Sequence, residues 1–435
     1  MSEARMIEKA SRLQGEVRVP GELRTAAQAF WLAAISEGES HFDYVPTTAH
    51  PTLEILSSLG VGVERNNMAA TVTGVGLRGL RQPQGIIELD VPEVAALTAL
   101  AILSQQSFVS RVRVAAGSRD GALQLLSLLA PQGTASTEES EGLLRLEGAQ
   151  DTAGATYQES DFSAPVKLGL LTAGLFVSTP TVVREPPSSK DRVDALLKTR
   201  GVSVEGSRQA DPTVRTITLT PGPAPKALDV DLAGDLAKAL PFIVAGVSVR
   251  RSDVTVRRVM LRPENRVLID ILRQNGAAME IVDNSDGSVD LALKGSGRMK
   301  PTRVADKRAE NLLDHVALVA ILATQTEGQF IIRDVESLRQ GDFDFIEHLA
   351  EQLRAIQAKV GEYPYGLVID GGRPLKRARI TTNGHAGMAQ AFAVAGLLAN
   401  GGMEIDNTEC VEPEFPGFFD KLTALQSSKT KEKTK

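Results

Sequence analysis

A serine and two cations precede a predicted helix in the middle of the chain. Ser189, Lys190 and Arg192 stand at the start of the amphipathic segment that begins at Asp191. The free backbone N–H groups at a helix N-terminus favour an anion, and a hydroxyl with two cations strengthens that preference. We therefore predict an anion-binding site at these three residues. A solvated helix start is the alternative.

Two further polar residues stand where apolar helices begin. Ser163 precedes the stretch APVKLGLLTAG, where a serine is typical of an N-cap but is also placed to contact a ligand. Asp314 lies at the start of the apolar run that ends at Ala323. Its carboxylate is a candidate general base, with a helix cap or dipole partner as the alternative. We interpret the neighbouring His315 as structural.

Six Ala-rich helices recur along the chain, each followed by a short strand. They begin near Thr25, Val94, Ser163, Asp235, Leu312 and Met388, so successive copies start roughly 70 residues apart. Their middles carry almost no charged residue. Because a helix that is apolar all round has no face suited to water, the pattern predicts six buried helices around which the remaining elements pack.

A second, amphipathic type of helix alternates with the first and is followed by two short strands. Its copies begin at Pro51, Asp120, Asp191, Asn265 and Asp344. With the entering strand, each unit has the order βαβαββ, and the protein is an α/β protein of six such units. The sixth unit is cut short after Leu422. The alternating strand Leu13–Pro20 is the segment predicted to complete it.

The six units predict two lobes of three units each, which agrees with the domain count expected for 435 residues. We assign residues 22–230 to an N-terminal lobe and residues 1–21 with 231–425 to a C-terminal lobe. The Lys-rich tail at residues 426–435 is predicted to be disordered. Two short linkers between lobes form a hinge, and a ligand site is expected in the cleft between them.

Composition excludes several classes of function. The net charge of −6 and an aromatic content of 4% argue against a nucleic acid as partner, and no apolar run reaches the length of a membrane span. Cys410 is the single cysteine, so no internal disulfide can form and we predict a reducing compartment, the cytoplasm. We expect no cofactor and no metal ion.

Six motifs in the same order and spacing give the chain a family resemblance. They are VPG at Val19–Gly21, SAPVK at Ser163–Lys167, REPPSSKD at Arg184–Asp191, LLDHVALVAILA at Leu312–Ala323, ESLRQGDFD at Glu336–Asp344, and AFAVAGL with FPGFF near the end. The chain resembles the 5-enolpyruvylshikimate-3-phosphate (EPSP) synthases of the enolpyruvyl transferase family. The resemblance implies a two-lobe inside-out α/β barrel of six βαβαββ repeats. It also implies transfer of the enolpyruvyl group of phosphoenolpyruvate to shikimate 3-phosphate.

The resemblance assigns roles to a few residues. It implies that Ser163 and Ser189 hold the acceptor phosphate and that Asp314 is the catalytic proton acceptor. Lys190 and Arg192 stand near that serine, and Arg24 lies one position from a lysine of the family motif. We therefore predict Ser163, Ser189, Lys190, Arg192 and Arg24 as substrate or anion contacts.

Most cationic positions of the family motifs hold other residues in this chain. Gly341, Phe345 and Pro413 stand where the family has lysine or arginine. Both substrates carry a phosphate and a carboxylate, and burying such charges without partners is costly. These losses predict a catalytically degenerate member, a pseudoenzyme that serves as a binding or scaffold protein or acts on another anionic ligand. Its predicted partners are a small anionic molecule in the cleft or a protein. The alternatives are an active EPSP synthase and an enolpyruvyl transferase of changed specificity.

Overall fold

The structure, a computed structural model, describes residues 4–149, 152–158, 163–186, 197–208, 214–296, 299–340 and 343–427. The chain divides into two compact units. The first unit is Gly21–Leu232, and the second unit combines Met1–Pro20 with Ala233–Lys435. The lobe boundaries drawn from the sequence stay a prediction. None of the described helices has the length and hydropathy that crossing a membrane requires.

The first unit is built from three four-stranded sheets. Its strands are β3 (Glu37–Asp43), β4 (Gly62–Asn66), β5 (Ala69–Val75), β6 (Ile86–Leu89), β7 (Ser110–Val114), β8 (Ser136–Ser140), β9 (Leu143–Leu146), β10 (Thr156–Gln158), β11 (Thr181–Glu185), β12 (Val204–Arg208), β13 (Arg215–Leu219) and β14 (Val230–Asp231). The sheet orders are β14-β3-β5-β4, β6-β7-β9-β8 and β10-β11-β13-β12. In each sheet the first two strands are parallel and the others antiparallel.

The helices of the first unit cross over between these strands. They are α1 (Leu23–Ala34), α2 (His50–Ser58), α3 (Glu93–Ser104), α4 (Arg119–Leu129) and α5 (Ala164–Ala173). A parallel pair of strands needs a long crossover, and α3 and α5 supply it between β6 and β7 and between β10 and β11. The repeated helix–strand order of the sequence thus gives each sheet the same topology.

The second unit repeats this plan. Its strands are β1 (Arg5–Ile7), β2 (Gln14–Val17), β15 (Gly234–Asp235), β16 (Asp253–Met260), β17 (Ala278–Asp283), β18 (Val289–Lys294), β19 (Arg303–Val304), β20 (Gln329–Arg333), β21 (Lys359–Tyr363), β22 (Gly366–Asp370), β23 (Arg379–Ile380) and β24 (Met403–Ile405). Its helices are α6 (Leu236–Ser248), α7 (Val267–Gln274), α8 (Lys307–Glu310), α9 (Val316–Thr324), α10 (Phe345–Ala355), α11 (Ala386–Leu398) and α12 (Phe418–Ser427). The sheets are β15-β16-β18-β17, β19-β20-β22-β21 and β1-β24-β23.

The six apolar helices form the two cores, as predicted. All nine residues of α9 are buried, and so are eleven consecutive residues of α3. The helices α1, α3 and α5 belong to the core of the first unit, and α6, α9 and α11 belong to that of the second. A helix buried on all sides holds its ends in fixed places, so residues just before its first turn are firmly positioned.

The N-terminal strands differ from the prediction. The strand predicted at Leu13–Pro20 forms as β2, but β2 pairs in parallel with β16 rather than completing the sixth unit. The sixth sheet is completed by β1, which pairs antiparallel with β24. The prediction was wrong because the three residues of β1 are too few to show an alternating pattern. Alternation in β2 also indicates a strand without indicating its partner.

Gly396 allows β1 to pack closely on helix α11. A Cβ atom at this position would lie 2.8 Å from Cβ and 2.9 Å from Cγ2 of Ile7. We expect Gly396→Ala to destabilise the second unit by about 1–2 kcal/mol, because an overpacking cost near the upper end of the usual range of about 1–3 kcal/mol exceeds the roughly 1 kcal/mol that alanine gains over glycine in a helix. Chemical denaturation measures this loss, and faster hydrogen exchange in Arg5–Ile7 locates it.

Gly85→Ala is the matched control, because a Cβ atom there meets open space. It should leave stability unchanged within about 0.5 kcal/mol. Equal stability of the Gly396 and Gly85 variants would contradict close packing of β1 on α11.

Candidate functional site

The second unit contains a cavity of about 1040 Å³. It lies where three buried helices begin. Ala237 is in the first turn of α6, Leu318 is in the first turn of α9, and Gly387 is in the first turn of α11, and all three line the cavity. The N-terminus of each helix carries about half a positive charge, so the three ends together favour a bound anion.

Polar side chains from several elements line the same cavity. They include Lys238, Asp314, His315, Gln340, His385 and Glu414. The positions of most of these residues follow from the local sequence. A short polar segment precedes each apolar helix, and these segments come together where the N-termini of the helices come together. Among the described residues no group of three or more His, Cys, Asp or Glu is arranged to hold a metal ion.

Asp314 lies in the 3-10 turn Leu313–His315 that leads into α9. Its side chain is exposed, and it neither caps α9 nor makes a hydrogen bond or ion pair with any described residue. Its carboxylate is therefore not occupied by a structural role that the described chain shows. A carboxylate free to accept a proton at the wall of a cavity has the position that a general base needs.

His385 occupies the N-cap of α11. Its Nδ1 accepts a hydrogen bond of 3.3 Å from the backbone N–H of Met388, and its ring packs 4.8 Å from that of Phe345, centroid to centroid. Burial lowers the pKa of His385 below its ordinary value of 6.5, although Glu414 and Asp314 raise it. The neutral ring with Nε2–H is therefore the favoured form, with its N–H available to a ligand.

His315 lines the cavity at the N-cap position of α9, where its side chain makes no capping bond. Burial lowers the pKa of His315 below 6.5, Asp314 raises it, and the nearby Lys238 lowers it further. The single cysteine, Cys410, lines the same cavity, and burial raises the pKa of its thiol. The thiol therefore stays protonated at neutral pH, which agrees with a structural role.

The cations near the cavity are partly engaged. Lys238 forms an ion pair with Glu414. Arg339 donates to Asp344 Oδ2 at 2.6 Å and to Glu362 Oε1 at 3.2 Å. It also donates to the backbone carbonyls of Tyr363 and Pro364. Arg339 is thus committed to the N-cap of α10 and to the hairpin of β21 and β22. Lys238 is the one cation among the described lining residues.

The structure places two of the other predicted site residues in the first unit. Arg24 is half-buried near the start of α1. Ser163 is exposed at the N-cap position of α5. Its backbone carbonyl accepts a hydrogen bond of 2.9 Å from the backbone N–H of Lys167, but its hydroxyl makes no capping bond. Ser189, Lys190 and Arg192 lie outside the described residues.

A buried ion-pair network lies one turn into α5. Lys167 Nζ is 2.5 Å from Glu185 Oε2, and both side chains are fully buried. Arg215 Nη1 is 2.6 Å from the second oxygen, Oε1, of the same carboxylate. The network joins α5 to β11 and β13 below Ser163, so it fixes the direction in which the N-terminus of α5 points.

The sequence analysis did not identify Lys238 as a candidate site residue, and it interpreted His315 as structural. A signal for Lys238 was present, because it is the one charged side chain in the helix α6. A charge in a helix that is otherwise apolar is costly unless it reaches a partner or a ligand. For His315 no such signal exists, because a histidine before an apolar helix is common.

Comparison with known proteins gives a consistent result. The family model described as EPSP synthase (3-phosphoshikimate 1-carboxyvinyltransferase) matches residues 7–422. A 3-phosphoshikimate 1-carboxyvinyltransferase of Syntrophotalea carbinolica is 30% identical over 440 residues, covering 98% of this chain and 100% of that protein. One from Desulforamulus reducens is 29% identical over 430 residues and covers 96% and 98%.

Solved structures show the same fold. An EPSP synthase from Acinetobacter baumannii has a TM-score of 0.71 at 24% identity, over 97% of both chains. A second structure of this enzyme has a TM-score of 0.72 at 24% identity, over 97% of this chain and 98% of that one. The predicted fold class, a two-lobe inside-out α/β barrel of six repeats, is confirmed.

These relatives contradict the predicted loss of enolpyruvyl transfer. Proteins similar over nearly their whole length carry the name of an active transferase, so the pseudoenzyme interpretation was wrong. The error was to count cations at motif positions alone. Positive charge near an anion can come from any element that reaches it, and here three helix N-termini and Lys238 line one cavity.

Proposed function

Since the chain belongs to the EPSP synthase family, we propose that it acts as a 3-phosphoshikimate 1-carboxyvinyltransferase. The reaction moves the enolpyruvyl group of phosphoenolpyruvate to shikimate 3-phosphate. A hydroxyl of the acceptor loses its proton as its oxygen bonds to the enolpyruvyl carbon, and inorganic phosphate leaves. Both substrates are small anions, and the relatives give no support for a protein partner.

The observation that carries the proposal is the position of Asp314. Its free carboxylate lies at the wall of a cavity into which three helix N-termini point. In the proposed roles, Asp314 accepts a proton, while the helix ends and Lys238 stabilise the charges of phosphoenolpyruvate. Both effects increase in a cavity from which water is excluded, because electrostatic interactions are stronger at low dielectric constant.

The acceptor is proposed to bind through the first unit. Ser163, Ser189, Lys190, Arg192 and Arg24 are its candidate contacts. The exposed hydroxyl of Ser163 supports this role, since it is not used to cap α5. A hydroxyl that donates to a phosphate oxygen forms a charge-assisted hydrogen bond, which is stronger than a bond between neutral groups.

A phosphate-release assay with both substrates tests the proposed function. We expect release only when phosphoenolpyruvate and shikimate 3-phosphate are both present, with an enolpyruvyl ether as product by mass spectrometry. Complementation of a strain that lacks this activity provides a second test. Absence of product in both experiments would exclude the proposed function.

Ser163→Ala separates a ligand contact from a helix cap. We expect KM for shikimate 3-phosphate to rise about tenfold, which corresponds to the loss of a hydrogen bond to a charged group. The melting temperature should not change, because the hydroxyl makes no capping bond. Steady-state kinetics and thermal denaturation measure the two quantities.

Asp235→Ala is the comparison for a true cap, because Asp235 accepts from the backbone N–H of Ala237 at 2.8 Å. It should destabilise the protein by about 1 kcal/mol. A Ser163→Ala variant with a similar loss of stability and an unchanged KM would identify Ser163 as structural.

A further inference from the structure

The described lining of the cavity has too little positive charge for a multiply charged anion. Lys238 contributes one positive charge, while Asp314 and Glu414 contribute two negative charges. With both histidines neutral, the described side chains therefore carry a net negative charge. A donor with a phosphate and a carboxylate would be repelled by them, and the helix N-termini offset only part of this repulsion.

His315 and His385 are the lining groups that can change this balance near neutral pH. They are not equivalent. Nδ1 of His385 accepts the hydrogen bond that caps α11, so protonation of that nitrogen would remove the cap. The ring of His315 has no hydrogen-bond partner among the described residues, so it can gain a proton without losing a contact.

The surroundings of His315 also favour a proton when an anion is present. The titratable and charged groups that face the same cavity are Asp314 on its own turn, Lys238 on α6, His385 before α11, Cys410 in the turn Thr408–Val411, and Glu414 after that turn. Asp314 favours the imidazolium form, whereas burial and Lys238 oppose it. A dianion bound in the same cavity adds negative charge near the ring, which favours the imidazolium form.

We propose that His315 takes up a proton when the anionic enolpyruvyl donor binds, and that its imidazolium supplies charge that arginine or lysine side chains would otherwise provide. This proposal rests on the proposed function and deepens it. It makes His315 a specificity-determining residue for a donor of high negative charge. The proton comes from solvent and returns to solvent when phosphate and product leave.

Proton uptake makes donor affinity depend on pH. In the free protein burial keeps the pKa of His315 below 6.5, so the ring is neutral at pH 7 to 8. A bound anion raises that pKa. Between the free and bound values, Kd for phosphoenolpyruvate should rise about tenfold per pH unit, beyond the dependence that ionisation of the ligand itself produces.

Calorimetry of phosphoenolpyruvate binding tests the proposal, with shikimate 3-phosphate left out so that no turnover contributes to the measured heat. Measurements in two buffers of different ionisation enthalpy give the number of protons taken up. We expect the wild type to take up more protons at pH 7.5 than His315→Gln, by a difference approaching about one. His348→Gln is the matched control, because His348 bonds to the carbonyl of Thr381 and does not line the cavity. It should behave as the wild type.

Equal proton uptake by the wild type and His315→Gln would overturn the proposal. Turnover by the wild type in that case leaves the proposed function standing, whereas a wild type that neither binds the donor nor releases phosphate overturns both. The pH dependence of wild-type affinity is a second measurement that needs no variant. A Kd that follows only the second phosphate ionisation of phosphoenolpyruvate also overturns the role of His315.

Discussion

Asp314→Asn is expected to lower kcat for enolpyruvyl transfer by about 10²–10⁴-fold, the usual contribution of a positioned acid or base. Asparagine keeps the shape of the side chain but cannot accept the proton. Because the carboxylate is exposed and bonds to no described residue, the melting temperature should stay within about 1 °C of the wild type. A stopped phosphate-release assay at saturating concentrations of both substrates measures the loss.

Asp283→Asn provides the matched control for this experiment. Asp283 is an exposed carboxylate in β17 of the same unit and does not line the cavity. Its replacement should change neither kcat nor stability. If Asp314→Asn retained kcat within threefold of the wild type, Asp314 could not be the proton acceptor.

Glu185→Gln is expected to destabilise the first unit by about 3–5 kcal/mol, the usual cost of breaking a buried ion pair by changing one of its members. The substitution neutralises the carboxylate that holds Lys167 and Arg215, and the Lys167 ammonium stays fully buried. Urea denaturation followed by circular dichroism measures the loss. A stability change of this size should also reduce the amount of protein recovered in soluble form.

Lys167→Met tests whether the buried network contributes to stability through its charges or through the packing of its side chains. Methionine fills much of the space of the lysine side chain, and Glu185 keeps its ion pair with Arg215. We therefore expect a smaller loss than for Glu185→Gln. Arg65→Met removes the exposed pair with Glu54 and should cost less than about 1 kcal/mol. Equal effects of all three substitutions would show that the buried network does not depend on its charges.

The parts of the fold that local patterns determine could be predicted from the sequence. Helices such as α3 and α9 are apolar on every side, and their burial follows from that composition alone. The partners of short strands could not be predicted. β1 has three residues, and its place beside β24 depends on contacts with residues almost 400 positions away along the chain.

The candidate site, like the fold, could be predicted only where local patterns determine it. The position of Ser163 before α5 followed from a local pattern, but the absence of a capping bond depends on the direction of its side chain. The motifs also showed which cations were missing. They could not show that Lys238 and His315 line one cavity, since the two residues belong to different repeats and meet only after folding.

The pairing of β1 with β24 has a consequence for biosynthesis. Gly21–Leu232 is continuous, so the first unit can fold while the ribosome is still adding residues. Arg5–Ile7, in contrast, emerges first but must wait for Met403–Ile405, the strand with which it pairs. At about 5–20 residues per second this wait lasts roughly 20 to 80 seconds. During that time Arg5–Ile7 has not yet met its partner strand, and a chaperone or another chain can capture it.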